Sequence, residues 1–101
     1  MKVQILAFRA DALDPATMQR RTNLLELAVS EFPGLVTGAY VTYPADHVFG
    51  GITVWEDGEA LARFRHSELY AKLVLSPDVD ETADQEVPFE DALAEQLAAA
   101  A

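Results

Sequence analysis

The 101 residues contain no cysteine, which removes disulfides, thiolate nucleophiles and cysteine-built zinc sites and is compatible with a reducing cytoplasm, the expected location. No apolar run approaches the roughly 20 residues that a membrane-spanning helix needs, and the opening MKVQILAFRAD turns charged too early for a secretory leader. Base is missing from the last quarter of the chain. Residues 1–77 hold all seven Lys and Arg against nine Asp and Glu, whereas residues 78–101 hold eight acids and no base, giving a net charge of −10. Such a balance repels nucleic acid and anionic membrane surfaces, so neither is expected as a partner, and the acidic segment 78–101 reads as a solvated tail. No G-x-S-x-G, Walker or Rossmann fingerprint occurs, so hydrolase, nucleotide and dinucleotide-cofactor readings lack support. The two histidines, His47 and His66, lack H-x-H or H-x-x-x-H spacing. Asp46 or Glu68 would complete a metal site only if the fold brought them close, and none is expected.

What is present organises around one stretch, residues 47–64, HVFGGITVWEDGEALARF. Residues 47–55 alternate around Val48, Ile52 and Val54, with Phe49, Thr53 and Trp55 between them, as a strand does. Gly50 and Gly51 interrupt it, marking a bulge or the close approach of another backbone or a ligand. At Glu56 and Asp57 the period changes: Asp57 is placed to cap a helix on which Ala60, Leu61 and Phe64 recur at helical spacing.

Around this stretch the chain reads as one domain over residues 1–101. Residues 2–9 form a first strand, with Val3, Ile5 and Ala7 on one face and Leu6 and Phe8 on the other, apolar on both. Asp14 and Pro15 open the longest helix, whose apolar side is read as Met18, Leu24, Leu25, Leu27, Ala28 and Phe32, and Pro33-Gly34 stops it. Residues 35–43 form a second strand, and Pro44-Ala45-Asp46 turns it into the third as an antiparallel hairpin. The helix after the third strand is expected to break at Arg65-His66-Ser67, where Ser67 caps a second piece carrying Leu69, Tyr70, Leu73 and Val74. A last strand is expected within residues 80–90, with Pro88 marking it as an edge, and residues 90–101 as a fraying alanine-rich helix.

The order βαββαβ predicts an α+β, ferredoxin-like fold: a four-stranded antiparallel sheet with the helices on one face. The other face would then leave more apolar surface in water than the few hundred Å² a monomer normally shows. A two-fold homodimer packed sheet against sheet, closing a barrel, resolves the conflict.

With that topology, EFPGLVTGAYVTY and FGGITVWEDGEALARF resemble the dimeric α+β barrel superfamily, in particular the antibiotic-biosynthesis-monooxygenase-like proteins. The matched marks are Pro33-Gly34 after the long helix, Trp55 followed by Glu56 and Asp57 at a strand end, and Ala60-Leu61 near the start of the next helix. Gly50-Gly51 before the aromatic is most similar to the small monooxygenase-like branch. The resemblance implies a cofactor-independent monooxygenase acting on a small aromatic or phenolic substrate. Its alternatives are a non-catalytic ligand-binding dimer of the same fold and an isomerase. The haem-degrading branch uses an asparagine on the first strand and a histidine on the helix after the third. The matching positions here are Leu6 and Leu73, so haem degradation is not expected.

Under the monooxygenase reading the candidate catalytic residues are His66, as base or donor to a phenol, Trp55, whose indole N–H would orient an oxygen, and Tyr70. Phe8, Tyr40 and Phe64 are the candidate substrate contacts. Each has a plainer alternative: Trp55 as core, His66 as a surface residue at a helix end, His47 as a turn residue. Tyr40 and Tyr43 have opposite strand parity, so they cannot share a pocket on one sheet face.

Overall fold

A computed structural model describes residues 1–90. The elements run β1 (Lys2–Arg9), α1 (Pro15–Ser30), β2 (Leu35–Tyr43), a 3-10 turn (Pro44–Asp46), β3 (Val48–Trp55), α2 (Gly58–Arg65), α3 (Glu68–Val74) and β4 (Glu81–Pro88). The expected helix over residues 90–101 lies, from residue 91 on, outside the described residues. Local chemistry sets the helix starts. Asp14 accepts from the Thr17 amide at 2.7 Å, Asp57 from that of Ala60 at 2.8 Å and Ser67 from that of Tyr70 at 3.2 Å, each satisfying an amide that the first turn leaves without a partner. The expected break therefore falls where Ser67 starts a new helix.

The strands form one antiparallel sheet in the order β2-β3-β1-β4, with β4 at an edge, the ferredoxin-like arrangement. The register sorts the side chains. Gln4, Leu6 and Phe8 pair with Thr53, Gly51 and Phe49, and with Gly38, Tyr40 and Thr42 of β2 and Glu86, Asp84 and Thr82 of β4 they make the face under the helices. Ile5, Ala7, Ile52, Val54, Ala39, Val41 and Tyr43 point the other way, and no helix of the described residues covers them.

Gly50 and Gly51 answer to close approach. The β1–β3 register runs unbroken through them, and the irregularity sits instead in β2, between Leu35 and Thr37. A Cβ on Gly50 would lie 2.0 Å from the Leu6 carbonyl oxygen, and one on Gly51 would lie 2.7 Å from the Tyr40 ring.

The long helix turns differently from the expected apolar side. Met18, Thr22, Leu25 and Val29 are buried, whereas Leu24 and Leu27 are 61% and 68% exposed and Ala28 is exposed too. The buried set follows a spacing of four, three and four that keeps one stripe on the sheet. It includes a threonine, whose hydroxyl donates to the Met18 carbonyl and lies 2.8 Å from that of Thr42, so its burial carries no unpaired polar atom.

The acids of the described C-terminal part are drawn onto the body. Arg21 pairs with Asp78, Arg65 with Asp84 at 2.7 Å and Glu86 at 3.2 Å, and Arg9 lies 3.6 Å from Glu81. Asp80 accepts from the Asp11 amide at 2.7 Å. The solvated-tail reading is corrected here for residues 78–86: three of the arginines carried by residues 1–77 meet acids that follow residue 77.

Candidate functional site

Two features lie between the sheet and the helices: a polar chain through the core and an apolar cavity beside it. The chain starts at Trp55, fully buried at the end of β3. Its indole N–H donates to Thr53 Oγ1 at 2.9 Å, Thr53 donates to Gln4 Oε1 at 3.1 Å, and Gln4 Nε2 donates to Asp84 Oδ2 at 3.2 Å. Asp84 also accepts from Arg65 Nε at 3.1 Å and Nη2 at 2.7 Å, and from the Tyr70 hydroxyl at 2.5 Å. Burial alone would raise the Asp84 pKa, but the donors from Arg65, Tyr70 and Gln4 outweigh it and hold the carboxyl below its ordinary range. The Tyr70 hydroxyl is pushed up to about 12, by burial first and then by its bond to the Asp84 carboxylate. Around the chain the rings of Phe32, Trp55, Phe64 and Tyr70 pack together, with Trp55 and Phe64 stacked at 5.0 Å and Tyr70 edge-on to Phe64 at 5.4 Å.

The cavity has a volume of about 350 Å³. Phe8 and Phe49, ring centres 5.3 Å apart, belong to its sheet side. Leu24, Leu25 and Ala28 of α1, Leu69 and Leu73 of α3, and Val79 complete the hydrocarbon wall, and Arg21, Lys72 and Ser76 are its polar liners. Arg21 is committed: it donates to Ser76 Oγ at 3.3 Å and to Asp78. Lys72 makes no ion pair among the described residues.

Of the six residues singled out from the sequence, the structure gathers three. Trp55, Phe64 and Tyr70 meet in the aromatic cluster, with the Trp55 and Tyr70 donors already bonded inside the protein. Phe8 alone of the six lines the cavity. Tyr40 lies over Gly38 and Gly51, its hydroxyl buried with no partner among the described residues, and its pKa is raised by that burial and by the Glu26 charge. His66 is exposed, ends α2 as its C-cap and does not line the cavity. Gln4, Thr53 and Asp84 carry the polar chain and were missed in the sequence. Parity could have found the first two, since Gln4 shares its strand face with Leu6 and Phe8, and Thr53 with Trp55. Asp84 needed the β1–β4 register.

No family model matches the sequence, and no curated protein matches it. Solved structures do. The chain is similar to SnoaB, a cofactor-independent oxygenase from Streptomyces nogalater, at 15% identity over 86% of this chain and 90% of that one, with a TM-score of 0.68. It is similar to MhuD, a heme-degrader from Mycobacterium tuberculosis, at 19% identity over 85% and 92% of the two chains, TM-score 0.63. PA3566 from Pseudomonas aeruginosa gives 17% identity over 85% and 90%, TM-score 0.68. The fold is thus that of the antibiotic-biosynthesis-monooxygenase-like proteins, and the resemblance read from the sequence holds at the level of fold.

Proposed function

We propose that the chain is a cofactor-independent oxygenase that takes a small aromatic molecule with an ionisable hydroxyl into the cavity between α1, α3 and the sheet. The observation that carries this reading is the cavity itself, about 350 Å³ of hydrocarbon wall with Arg21, Lys72 and Ser76 as polar liners. That volume falls within the usual range for small-molecule sites, roughly 300 to 1,000 Å³. A bound ring lies against Phe8 and Phe49. Its hydroxyl oxygen turns toward Lys72, whose charge favours the phenolate. The ionised substrate, conjugated to an activated CH₂, then reacts with O₂. One oxygen atom becomes the new carbonyl, and the other leaves as water with the two hydrogens of that carbon, so the balance needs no cofactor. Trp55, Phe64 and Tyr70 act on the wall from behind rather than on the substrate, and His66 takes no part. The likeness of fold to SnoaB supports the same reading.

A second reading, a non-catalytic module that binds an apolar ligand, is favoured by one observation: among the described residues no histidine, tyrosine or carboxylate lines this cavity. Incubation with anthrone-type phenols under air, following quinone formation and O₂ uptake, separates the two. Turnover that disappears in Ala28→Trp, which fills the cavity from an exposed position of α1, supports the oxygenase. Saturable binding of an apolar dye with no turnover across the panel establishes the binding module instead. In either case the working form is a homodimer joined through the sheet face that no helix of the described residues covers, in the cytoplasm.

A further inference from the structure

The third helix closes one side of the cavity, yet it buries none of its residues fully. Seven residues are too few for a helix to persist unaided in water. What holds α3 in place is therefore tertiary. Leu69, Leu73 and Val74 pack only in part against the core, and Leu69 and Leu73 also face the open space of about 350 Å³, so the apolar anchoring on that side is incomplete. On its other side Tyr70 packs edge-on against Phe64 and donates its hydroxyl to Asp84. The anchor is itself rigid. Gln4 and Arg65 fix the Asp84 carboxylate, and through Gln4 and Thr53 the fixation continues to Trp55 in the core. Beyond the far end of α3, Ser76 is met by Arg21.

We infer that α3 is a movable wall of the cavity and that Tyr70, held by Asp84, is the latch that positions it. The hinges are the turns that bracket the helix, Arg65-His66-Ser67 before it and Leu75-Ser76-Pro77 after it. Swinging α3 outward widens the cavity, already open beside the exposed Leu24, Ala28 and Lys72, at the cost of the Tyr70 hydrogen bond and ring contact and of the partial packing of Leu69, Leu73 and Val74 on the core, while the sheet and α1 stay put. Tyr70 and Asp84 are positioning residues here: neither lines the cavity, and both decide where Leu69, Lys72 and Leu73 stand. The inference rests on the cavity being the ligand site.

Tyr70→Phe isolates the latch. It keeps the ring on Phe64, and it leaves Asp84 bonded to Arg65 and Gln4, so no carboxylate loses all its partners. A hydrogen bond to a charged acceptor corresponds to roughly ten- to hundredfold in an opening equilibrium. Amide hydrogen exchange in Tyr70–Leu75 should therefore accelerate by that factor in the variant, while exchange in β1 and β3 changes little. With 1-anilinonaphthalene-8-sulfonate as the probe, stopped-flow fluorescence should show association and dissociation both faster, with Kd changing far less than either rate. Exchange that stays at the wild-type rate in α3, or that rises equally in α3 and the sheet, overturns the latch. So do unchanged dye kinetics alongside saturable dye binding. If the dye does not bind, the cavity reading fails, and the exchange measurement alone decides the latch.

Discussion

Replacing Ile52 by Asp tests whether the sheet face that no helix of the described residues covers is an interface. Ile52 sits on β3 with Ile5 and Ala39 as its cross-strand neighbours. Ile5, Val41, Tyr43 and Ile52 are 37%, 44%, 55% and 49% exposed. Fully burying such a side chain stabilises by about 1.5 to 3 kcal/mol, so finishing the burial of each contributes roughly 1 kcal/mol. Four residues on each of two protomers give roughly 8 kcal/mol of apolar burial across a two-fold joint. Their smaller apolar neighbours add to this. Two-fold symmetry doubles any damage. The variant removes two isoleucines and places two carboxylates in the joint, each costing several kcal/mol to desolvate without a partner. The dissociation constant should rise at least about a thousandfold. Sedimentation velocity should show a dimer for the wild type at micromolar concentration and a monomer for Ile52→Asp. The far-UV circular dichroism should match, because the side chain is half in water within a single copy. A wild type that sediments as a monomer at high micromolar concentration, or a variant with dimer mass, refutes the reasoning.

Trp55→Ala should cost about 3 to 5 kcal/mol in urea unfolding, since it empties the centre of the aromatic cluster and leaves Thr53 without its indole donor; a loss below 1 kcal/mol would contradict that placement. Gly50→Ala should destabilise by about 1 to 3 kcal/mol or more, because its methyl would fall 2.0 Å from the Leu6 carbonyl oxygen, a backbone atom of the paired strand. Thermal melting reads the effect, and a Tm within error of the wild type would show that the strands have room to part. The carboxyl of Asp84 titrates below its ordinary value of 3.8 in the folded protein. It therefore contributes stability that is present above that value and is lost as pH falls through the lower, folded pKa. Asp84→Asn should reduce the wild type's loss of stability on acidification from pH 5 to pH 2, and parallel pH profiles for the two proteins would speak against the ion pair.

The frame of the fold was legible because its signals are local. Asp14, Asp57 and Ser67 each satisfy an amide three residues on, so the residue types alone locate three helix starts, including the break in the middle of the second crossover. The topology then follows from element order. Side-chain parity carried the separation of Tyr40 from Tyr43, and it would have sent Gln4 into the core had the polar residue been followed along its strand. Leu24 and Leu27 misled because α1 has more apolar residues than one stripe can hold, and Thr22, whose hydroxyl is satisfied by the Met18 carbonyl and the Thr42 hydroxyl, takes a place in the buried stripe. The candidate site was least legible. Asp84 lies 80 residues from Gln4, and nothing short of the register between β1 and β4 joins them. His66 stood out for its chemistry, but the turn that makes it a helix cap also keeps it outside, in water.

Both rims of the sheet resist the addition of another strand. Beta-4 carries Glu81, Asp84 and Glu86 and ends at Pro88, while β2 is irregular between Leu35 and Thr37 and gives way to Pro44 at its far end. Charge, kink and proline are each known to blunt a raw backbone margin. Among the described residues the oily flat of the sheet carries no such guard. Growth by lateral zippering is discouraged, and the sheet-on-sheet joint proposed above would use that flat once on each copy, so such an assembly would come to a halt at a pair.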